Sequence, residues 1–183
     1  QIQESIMATR MEPIGKVFNK FPRVVRDLSR ELEKKAALEI IGQEVELDKN
    51  IIEGIGDPLT HIIRNSLDHG LEMPEARKEA GKPETGKIIM KAYHLGGQVI
   101  IDISDDGAGI NLDRVRQKVL DNNLATVDEL EKMSDKEIMM FVMRPGFSTA
   151  ETVSKVSGRG VGMDVVKSTI EKLGGRVEID SFE

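Results

Sequence analysis

The run Thr60 to Gly70, "THIIRNSLDHG", places two histidines, an arginine, an asparagine and an aspartate within about three helical turns. On a continuous α-helix His61, Asn65, Asp68 and His69 stand at i, i+4, i+7 and i+8 and share one face, while Ile62, Ile63 and Leu67 point toward a core. Any surface helix carries a similar polar stripe, so the run alone does not establish a site. Zinc fits it poorly, because His61 and Asn65 do not form the histidine pair that zinc favours. Magnesium fits better: it accepts amide and carboxylate oxygens, keeps waters and commonly arrives with phosphate.

Two further clusters carry chemistry. "DDGAGI", Asp105 to Ile110, directly follows an apolar, strand-like run. Gly107 and Gly109 let the backbone turn tightly and approach a ligand, and Asp105 can accept a hydrogen bond from an exocyclic amine. The same letters also make an ordinary strand-ending turn. "SGRGVGMD", Ser157 to Asp164, precedes an amphipathic helix. Gly158, Gly160 and Gly162 leave amides free to face an anion at that helix N-terminus, where the dipole favours negative charge. It is neither a dinucleotide-fold fingerprint nor a "GxxxxGKS" loop. A flexible linker is the competing reading, and the immediate return to helix disfavours it.

The elements that must position these clusters follow from periodicity. Ile14 to Lys34 keeps close to a 3.6-residue period, with Pro22 marking either a kink or a fresh helical start. Leu38 to Leu47, "LEIIGQEVEL", reads as a strand with a bulge or turn at Gly42. Helix returns from Lys49 to about Gly70, with Pro58 an awkward interruption. "MPEARKEAGKPETG" reads as a short charged helix and turns, and "KIIMKAYHLGGQVIIDISD" as a β-hairpin through Gly96 and Gly97. A helix is expected from Asn111 to about Asn123, one or two short ones from Thr126 to Val142, a loop from Arg144 to Gly162, a helix to Leu173, and a last strand in "GGRVEIDSF". Helices between antiparallel strand pairs predict an α/β sandwich with helices on one sheet face.

Composition bounds the chemistry. With 183 residues the chain is long enough for one domain with a real core. A net charge of -6, from 26 basic and 32 acidic residues mixed along the chain, argues against a nucleic-acid surface. The absence of cysteine excludes disulfides and thiolate chemistry and fits a reducing compartment. No run approaches the roughly 18 apolar residues of a membrane span, and nothing reads as a signal peptide.

Order makes the clusters specific: a helical asparagine, a strand-ending D-x-G-x-G, then a G-x-G-x-G loop feeding a helix. The chain resembles the ATP-binding fold shared by type II topoisomerases, heat-shock chaperones, mismatch-repair ATPases and histidine kinases. Within it, "MEPIGKVFNKFPRVVRDLSRELEK", "GDPLTHIIRNSLDHG", "DDGAGI" and "RPGFSTAETVSKVSGRGVGMDVVK" resemble the catalytic domain of bacterial chemotaxis histidine kinases, from about residue 10 onward. Ordinary sensor kinases carry a glutamate where this chain has His61.

The resemblance implies an α+β fold, a mixed and largely antiparallel sheet with helices on one face and a flexible ATP lid at about residues 121–160. Residues 1–9 would end a dimerisation helix and linker, 10–183 would be the ATP-binding catalytic domain, and the family continues past "GGRVEIDSF" into a further strand. The sheet edge is therefore expected to be exposed and weakening. ATP and Mg2+ are the implied cofactors. Asn65 would ligate the metal and Asp105 would read the adenine amino group, with Gly107 and Gly109 closing on the base. His69 and Arg64 would approach phosphate or order the magnesium shell, and Asp68 would assist through water or a hydrogen-bond network. Arg114 and Lys118 would reach the phosphate chain, Lys118 with a catalytic role, and Ser157, Gly158, Arg159, Gly160, Val161, Gly162 and Met163 would close the triphosphate loop.

The implied reaction transfers the γ-phosphoryl group to a histidine on a separate phosphotransfer domain of the same or a partner subunit, with His61 as base or orienting group. Phe147 is either lid packing or a hinge plug, and Met139, Met140, Met143 and Met163 are soft packing. None of the histidines, His61, His69 and His94, is an evident phospho-acceptor. The resemblance further implies a cytoplasmic, homodimeric parent at receptor arrays, with a coupling protein and chemoreceptor engaged through neighbouring domains, neither nucleic acid nor membrane insertion, and a fragment that is itself monomeric. The competing readings are an ATP hydrolase of the same fold, which needs a water-activating glutamate such as Glu53 or Glu72, and a non-catalytic nucleotide-binding regulatory module.

Overall fold

A computed structural model describes residues 10–144, 147 and 163–181. The chain divides into two compact units, residues 1–107 and 108–183. The architecture is α+β with a mixed sheet, as the sequence predicts.

In the first unit β1 (Met11–Pro13) pairs antiparallel with β3 (Glu46–Asp48). Between them lie α1 (Gly15–Phe18), α2 (Phe21–Glu31) and β2 (Ala36–Ile41). Pro22 sits in the first turn of α2, where its missing N–H costs nothing, so it marks a fresh helical start rather than a kink. The expected strand "LEIIGQEVEL" is divided. Gly42, at φ 85°, ends β2 in a turn, and the chain enters β3 of the other sheet. A Cβ at Gly42 would lie 2.0 Å from Ala92 O, so the turn needs glycine for space as well as for its left-handed backbone.

β4 (Gly86–Leu95) is the centre of a three-stranded sheet, parallel to β2 and antiparallel to β5 (Gln98–Asp105). Gly96 and Gly97 join β4 to β5 with φ of 58° and 76°, the two positive values a tight type I′ hairpin requires. Alternation along β4 buries Ile88, Met90 and Ala92 and exposes Lys87 and Lys91, so one face of the sheet builds the core. Helix α2 packs on β2 and on α3 (Lys49–Asn65).

Asp48, the last residue of β3, caps α3 by accepting from Asn50 N at 2.8 Å. Ile52, Ile55, Leu59 and Ile63 form the buried stripe of α3. Pro58 lies inside the helix and is buried with them, so core packing outweighs the backbone hydrogen bond it forfeits. The expected continuous α-helix to Gly70 is not what forms: Ser66–Gly70 is a π-helical turn, closed by Leu71 N donating to Ser66 O at 2.8 Å. α4 (Pro74–Glu79) follows.

In the second unit Asn111 caps α5 (Leu112–Asp121), accepting from Arg114 N at 3.1 Å. Thr126 and Ser134 cap α6 (Val127–Glu131) and α7 (Asp135–Met139), each three residues before a glutamate, the capping-box spacing. A 3₁₀ turn, Met140–Met143, follows, and Val115, Val119, Leu130, Ile138, Phe141 and Phe147 pack into a core. The first part of the expected lid, to Met143, is thus helical and shares that core with Val115 and Val119 of α5. α8 (Met163–Lys172) contacts the 3₁₀ turn. Residues 175–181, within the expected final strand, form no ladder among the described residues: a strand-like pattern needs a partner, and Ile110 N donates to Ser181 Oγ at 2.9 Å.

Candidate functional site

The first unit brings two sequence clusters into contact. The π turn ends at Gly70, and β5 ends at Asp105, and these termini touch through glycine. A Cβ at Gly107 would sit 2.0 Å from Gly70 O and 2.4 Å from Gly70 C, an impossible approach for any other residue. Gly70 in turn would set its Cβ 3.2 Å from both carboxylate oxygens of Asp105. The helix end bearing Asn65 is thereby held against the strand end bearing Asp105.

Asp105 Oδ1 accepts from Gly107 N at 2.9 Å, which orients the exposed carboxylate, and its remaining lone pairs stay available to a donor. His61 and Asn65 are one α-helical turn apart and half-buried. Beyond Asn65 the expected common face breaks down, because a π turn advances each residue through a smaller angle than an α turn. Asp68 and His69 follow this altered phase. His69 is 53% exposed, with Nε2 3.6 Å from Asp68 Oδ2. Ile63 and Leu67 are fully buried, as the sequence predicts, whereas Ile62 is only half-buried.

The end of the π turn is capped from a distance. Lys34 Nζ donates to Leu67 O at 2.8 Å and Asp68 O at 2.7 Å, supplying a cation where the helix dipole is negative. Burial pushes the Lys34 ammonium below its ordinary value, against the raising charges of Asp68 and Glu72.

Sequence reasoning missed a second layer behind Asp105. Arg77 of α4, in a segment that reads as charged surface, has a side chain with 0% exposure. Its Nε donates to Pro83 O at 2.7 Å, Nη1 to Glu72 Oε1 and Asp106 O, both at 3.2 Å, and Nη2 to Asp106 Oδ2 at 3.0 Å. Lys82 Nζ adds bonds to Glu72 Oε2, Asp106 O and Gly107 O, each 3.1 Å. Asp106 Oδ1 accepts from Lys87 N at 2.8 Å. Nothing in the spacing of "MPEARKEAGKPETG" signals a buried guanidinium: Glu72 and Pro83 are near in sequence, but Asp106, which both Nη atoms reach, lies 29 residues away.

Burial raises the Asp106 carboxyl, but the Lys87 hydrogen bond and the Arg77 guanidinium outweigh it and hold the group below its ordinary 3.8. Glu72 behaves likewise: burial raises it, while its own backbone N–H, Lys82 and Arg77 leave it below 4.5. Hydrogen bonds from Lys35 and Lys78 hold Glu84 down at about 2. A carboxyl with a lowered folded pKa contributes stability above its unfolded pKa and loses that contribution as pH falls through the folded value. The urea midpoint is expected to stay level down to about pH 5 and to fall at lower pH. The fall should be shallower in Asp106→Asn; equal slopes in both proteins would remove Asp106 from the acid transition.

These bonds also bear on Glu72 as a water-activating base: both its oxygens are engaged by Arg77 and Lys82. Glu53 is 64% exposed at its side chain and lies 4.0 Å from Lys49.

Other expected site residues lie in the second unit. Gly109 has φ 76°, so within "DDGAGI" one glycine provides space and the other a left-handed backbone. Arg114 and Lys118 are one turn apart on α5; Arg114 is exposed, and Lys118 Nζ lies 5.6 Å from the centre of the Phe147 ring. Phe147 is buried in the core of that unit. Met139 and Met143 are buried and Met163 is half-buried. Ser157, Gly158, Arg159, Gly160, Val161 and Gly162 lie outside the described residues. Among the described residues no helix is long and apolar enough to cross a membrane, and no group of three or more His, Cys, Asp or Glu could hold a metal ion by itself.

Comparison with known proteins narrows the class. Sensor histidine kinase CheAY of Helicobacter pylori is 57% identical over 98% of this chain and 22% of its own length. Chemotaxis protein CheA of Bacillus subtilis is 51% identical over 100% of this chain and 27% of its own, and that of Salmonella typhimurium 53% identical over 98% and 26%. The chain thus spans roughly a quarter of the length of these curated relatives. A solved histidine kinase domain, from the blue-light-activated kinase of Erythrobacter litoralis EL346, matches with a TM-score of 0.40 at 15% identity, over 57% of this chain and 48% of that one, too distant to bear on the fold. A family model described as histidine kinase-, DNA gyrase B- and HSP90-like ATPase matches residues 54–183, and the chain belongs to that family.

Proposed function

We propose that this chain is the ATP-binding catalytic domain of a chemotaxis histidine kinase, transferring the γ-phosphoryl group of ATP to a histidine on a separate phosphotransfer domain. The observation that carries this reading is the contact of Gly70 with Gly107, which holds the Asn65 helix against the Asp105 strand end. The similarity to CheA proteins over nearly the whole chain supports the acceptor class.

The donor set fits the ligand. The Asp105 carboxylate is an open acceptor suited to the 6-amino group of adenine, and the amide oxygen of Asn65 suits Mg2+. Asn65 would hold the metal, with Asp68 and His69 beside it; Mg2+, when bound, neutralises charge on the phosphates. Gly107 and Gly109 admit the base close to the backbone. Arg114, Lys118 and the Ser157–Met163 segment are assigned to the phosphates, and Lys118 to stabilising charge on the transferred group. His61 orients the acceptor imidazole or takes its proton.

The wider assignments follow from the same similarity. The acceptor domain comes from the same or a partner subunit, a coupling protein and chemoreceptor act through neighbouring domains of a homodimeric parent, and the site of action is cytoplasmic, at receptor arrays. Residues 10–183 form the catalytic domain, with the lid covering about 121–160.

The test is transfer of labelled γ-phosphate to a separately supplied histidine-bearing domain, with nucleotide affinity measured in parallel. Asp105→Asn is expected to lower ATP affinity about tenfold to a hundredfold, the worth of a hydrogen bond to a charged group. His61→Ala should reduce transfer about a hundredfold or more while leaving ATP affinity within a few-fold. Tight binding without transfer to any such domain would instead favour a hydrolytic or regulatory module.

A further inference from the structure

Asp105 and Asp106 are neighbours at a strand end, and their carboxylates have different work. Asp105 lies against Gly70 with an open face, whereas both oxygens of Asp106 are engaged, one by Lys87 N and the other by Arg77. The turn that follows is not held by a backbone ladder alone. Asp106 O accepts from Arg77 Nη1 and Lys82 Nζ, and Gly107 O from Lys82 Nζ. Arg77 also grips Glu72, two residues past the π turn. One guanidinium therefore spans the two backbone segments that meet at Gly70 and Gly107.

We propose that Arg77 is a positioning residue for the nucleobase: by fixing Asp106 and Glu72 it sets the direction of the Asp105 carboxylate, and with it the preference for a purine bearing a 6-amino group over one bearing a 6-keto oxygen. The inference rests on the ATP reading above. Arg77 itself is fully buried and so acts through Asp106, without touching the base. A carboxylate in register accepts from an amine and repels a keto oxygen; one out of register loses both effects. Lysine in place of Arg77 keeps the charge but not the planar fork that reaches Pro83, Glu72 and Asp106 together. Asparagine in place of Asp106 has one acceptor oxygen where the structure uses two, so either Lys87 N or Arg77 loses its partner.

The experiment measures Kd for ATP and for inosine 5′-triphosphate, each with Mg2+, on the full chain and on Arg77→Lys, Asp106→Asn, Asp105→Asn and the Arg77→Lys/Asp105→Asn pair, with cooperative unfolding checked for each. The preference for ATP over the inosine nucleotide is expected to fall about fivefold or more in Arg77→Lys and in Asp106→Asn, and Arg77→Lys should add less than about twofold once Asp105 is already asparagine. A purely structural arginine would lower stability and leave the ratio alone. An unchanged ratio in a folded Asp106→Asn, or an undiminished effect of Arg77→Lys in the Asp105→Asn background, overturns the proposal. If Arg77→Lys does not fold, Asp106→Asn decides it. Absence of ATP binding by the unsubstituted chain would overturn the nucleotide reading itself, a result distinct from tight ATP binding with an unmoved ratio.

Discussion

Gly107→Ala is expected to lower ATP affinity roughly a hundredfold and to cost about 3 kcal/mol of folding stability, the upper range for forcing extra volume into a packed site. Both effects have one cause. The new methyl would lie 2.0 Å from a backbone carbonyl oxygen, and no rotamer change relieves a clash with backbone. The π turn and the end of β5 must separate, which moves Asn65 away from Asp105. Gly70→Ala is the informative contrast. The nearest atoms to its methyl would be those of the Asp105 carboxyl group, both oxygens at 3.2 Å and Cγ at 3.4 Å, and a side chain can rotate away where a backbone carbonyl cannot. Affinity should therefore fall while unfolding stays within about 1 kcal/mol of the unsubstituted chain. Equal stability losses in the two variants, measured by urea titration, would show that the contact is not the constraint described.

Arg77→Met should destabilise the first unit by about 3 kcal/mol, near the lower bound for removing one partner of a buried ionic group. The lower bound applies because the partners are not wholly abandoned: Lys82 still reaches Glu72 and Asp106 O, and the Asp106 side chain is 47% exposed. Methionine fills much of the volume, so the loss is chiefly that of hydrogen bonds to Pro83 O, Glu72 and Asp106. A change below about 1 kcal/mol would mean that water or Lys82 replaces the guanidinium with little loss.

Much of this molecule was readable because its signals are local. The double-glycine hairpin, the helix from Asn111 and the short helices after Thr126 each depend on residues close in sequence, and each forms where the pattern puts it. Pro58 was misleading for the opposite reason: its local penalty is outweighed by burial among residues the sequence does not show as neighbours. "LEIIGQEVEL" alternates like one strand, yet its halves join different sheets, since Gly42 turns against Ala92, fifty residues away. "GGRVEIDSF" has strand composition, but its described residues have no ladder partner among the described residues. In the candidate site, residue types pointed to Asn65 and Asp105 as candidates, but neither the π turn nor Arg77 was legible. The first departs from α periodicity by a single hydrogen-bond step, and the second lies in a run whose composition is that of a solvated surface.

The π turn also constrains how this chain can vary. A π turn holds one more residue per hydrogen-bonded loop than an α turn, so in lineage terms Ser66–Gly70 has the form of an α-helix with one residue inserted. Deleting a residue there would restore the commoner hydrogen bonds and gain local stability. It would also draw Gly70 off Gly107 and rotate everything beyond Asn65. Selection for stability and selection for the site therefore pull this segment in opposite directions, and its length between Asn65 and Gly70, more than the identity of any one side chain in it, is the quantity a descendant cannot change cheaply.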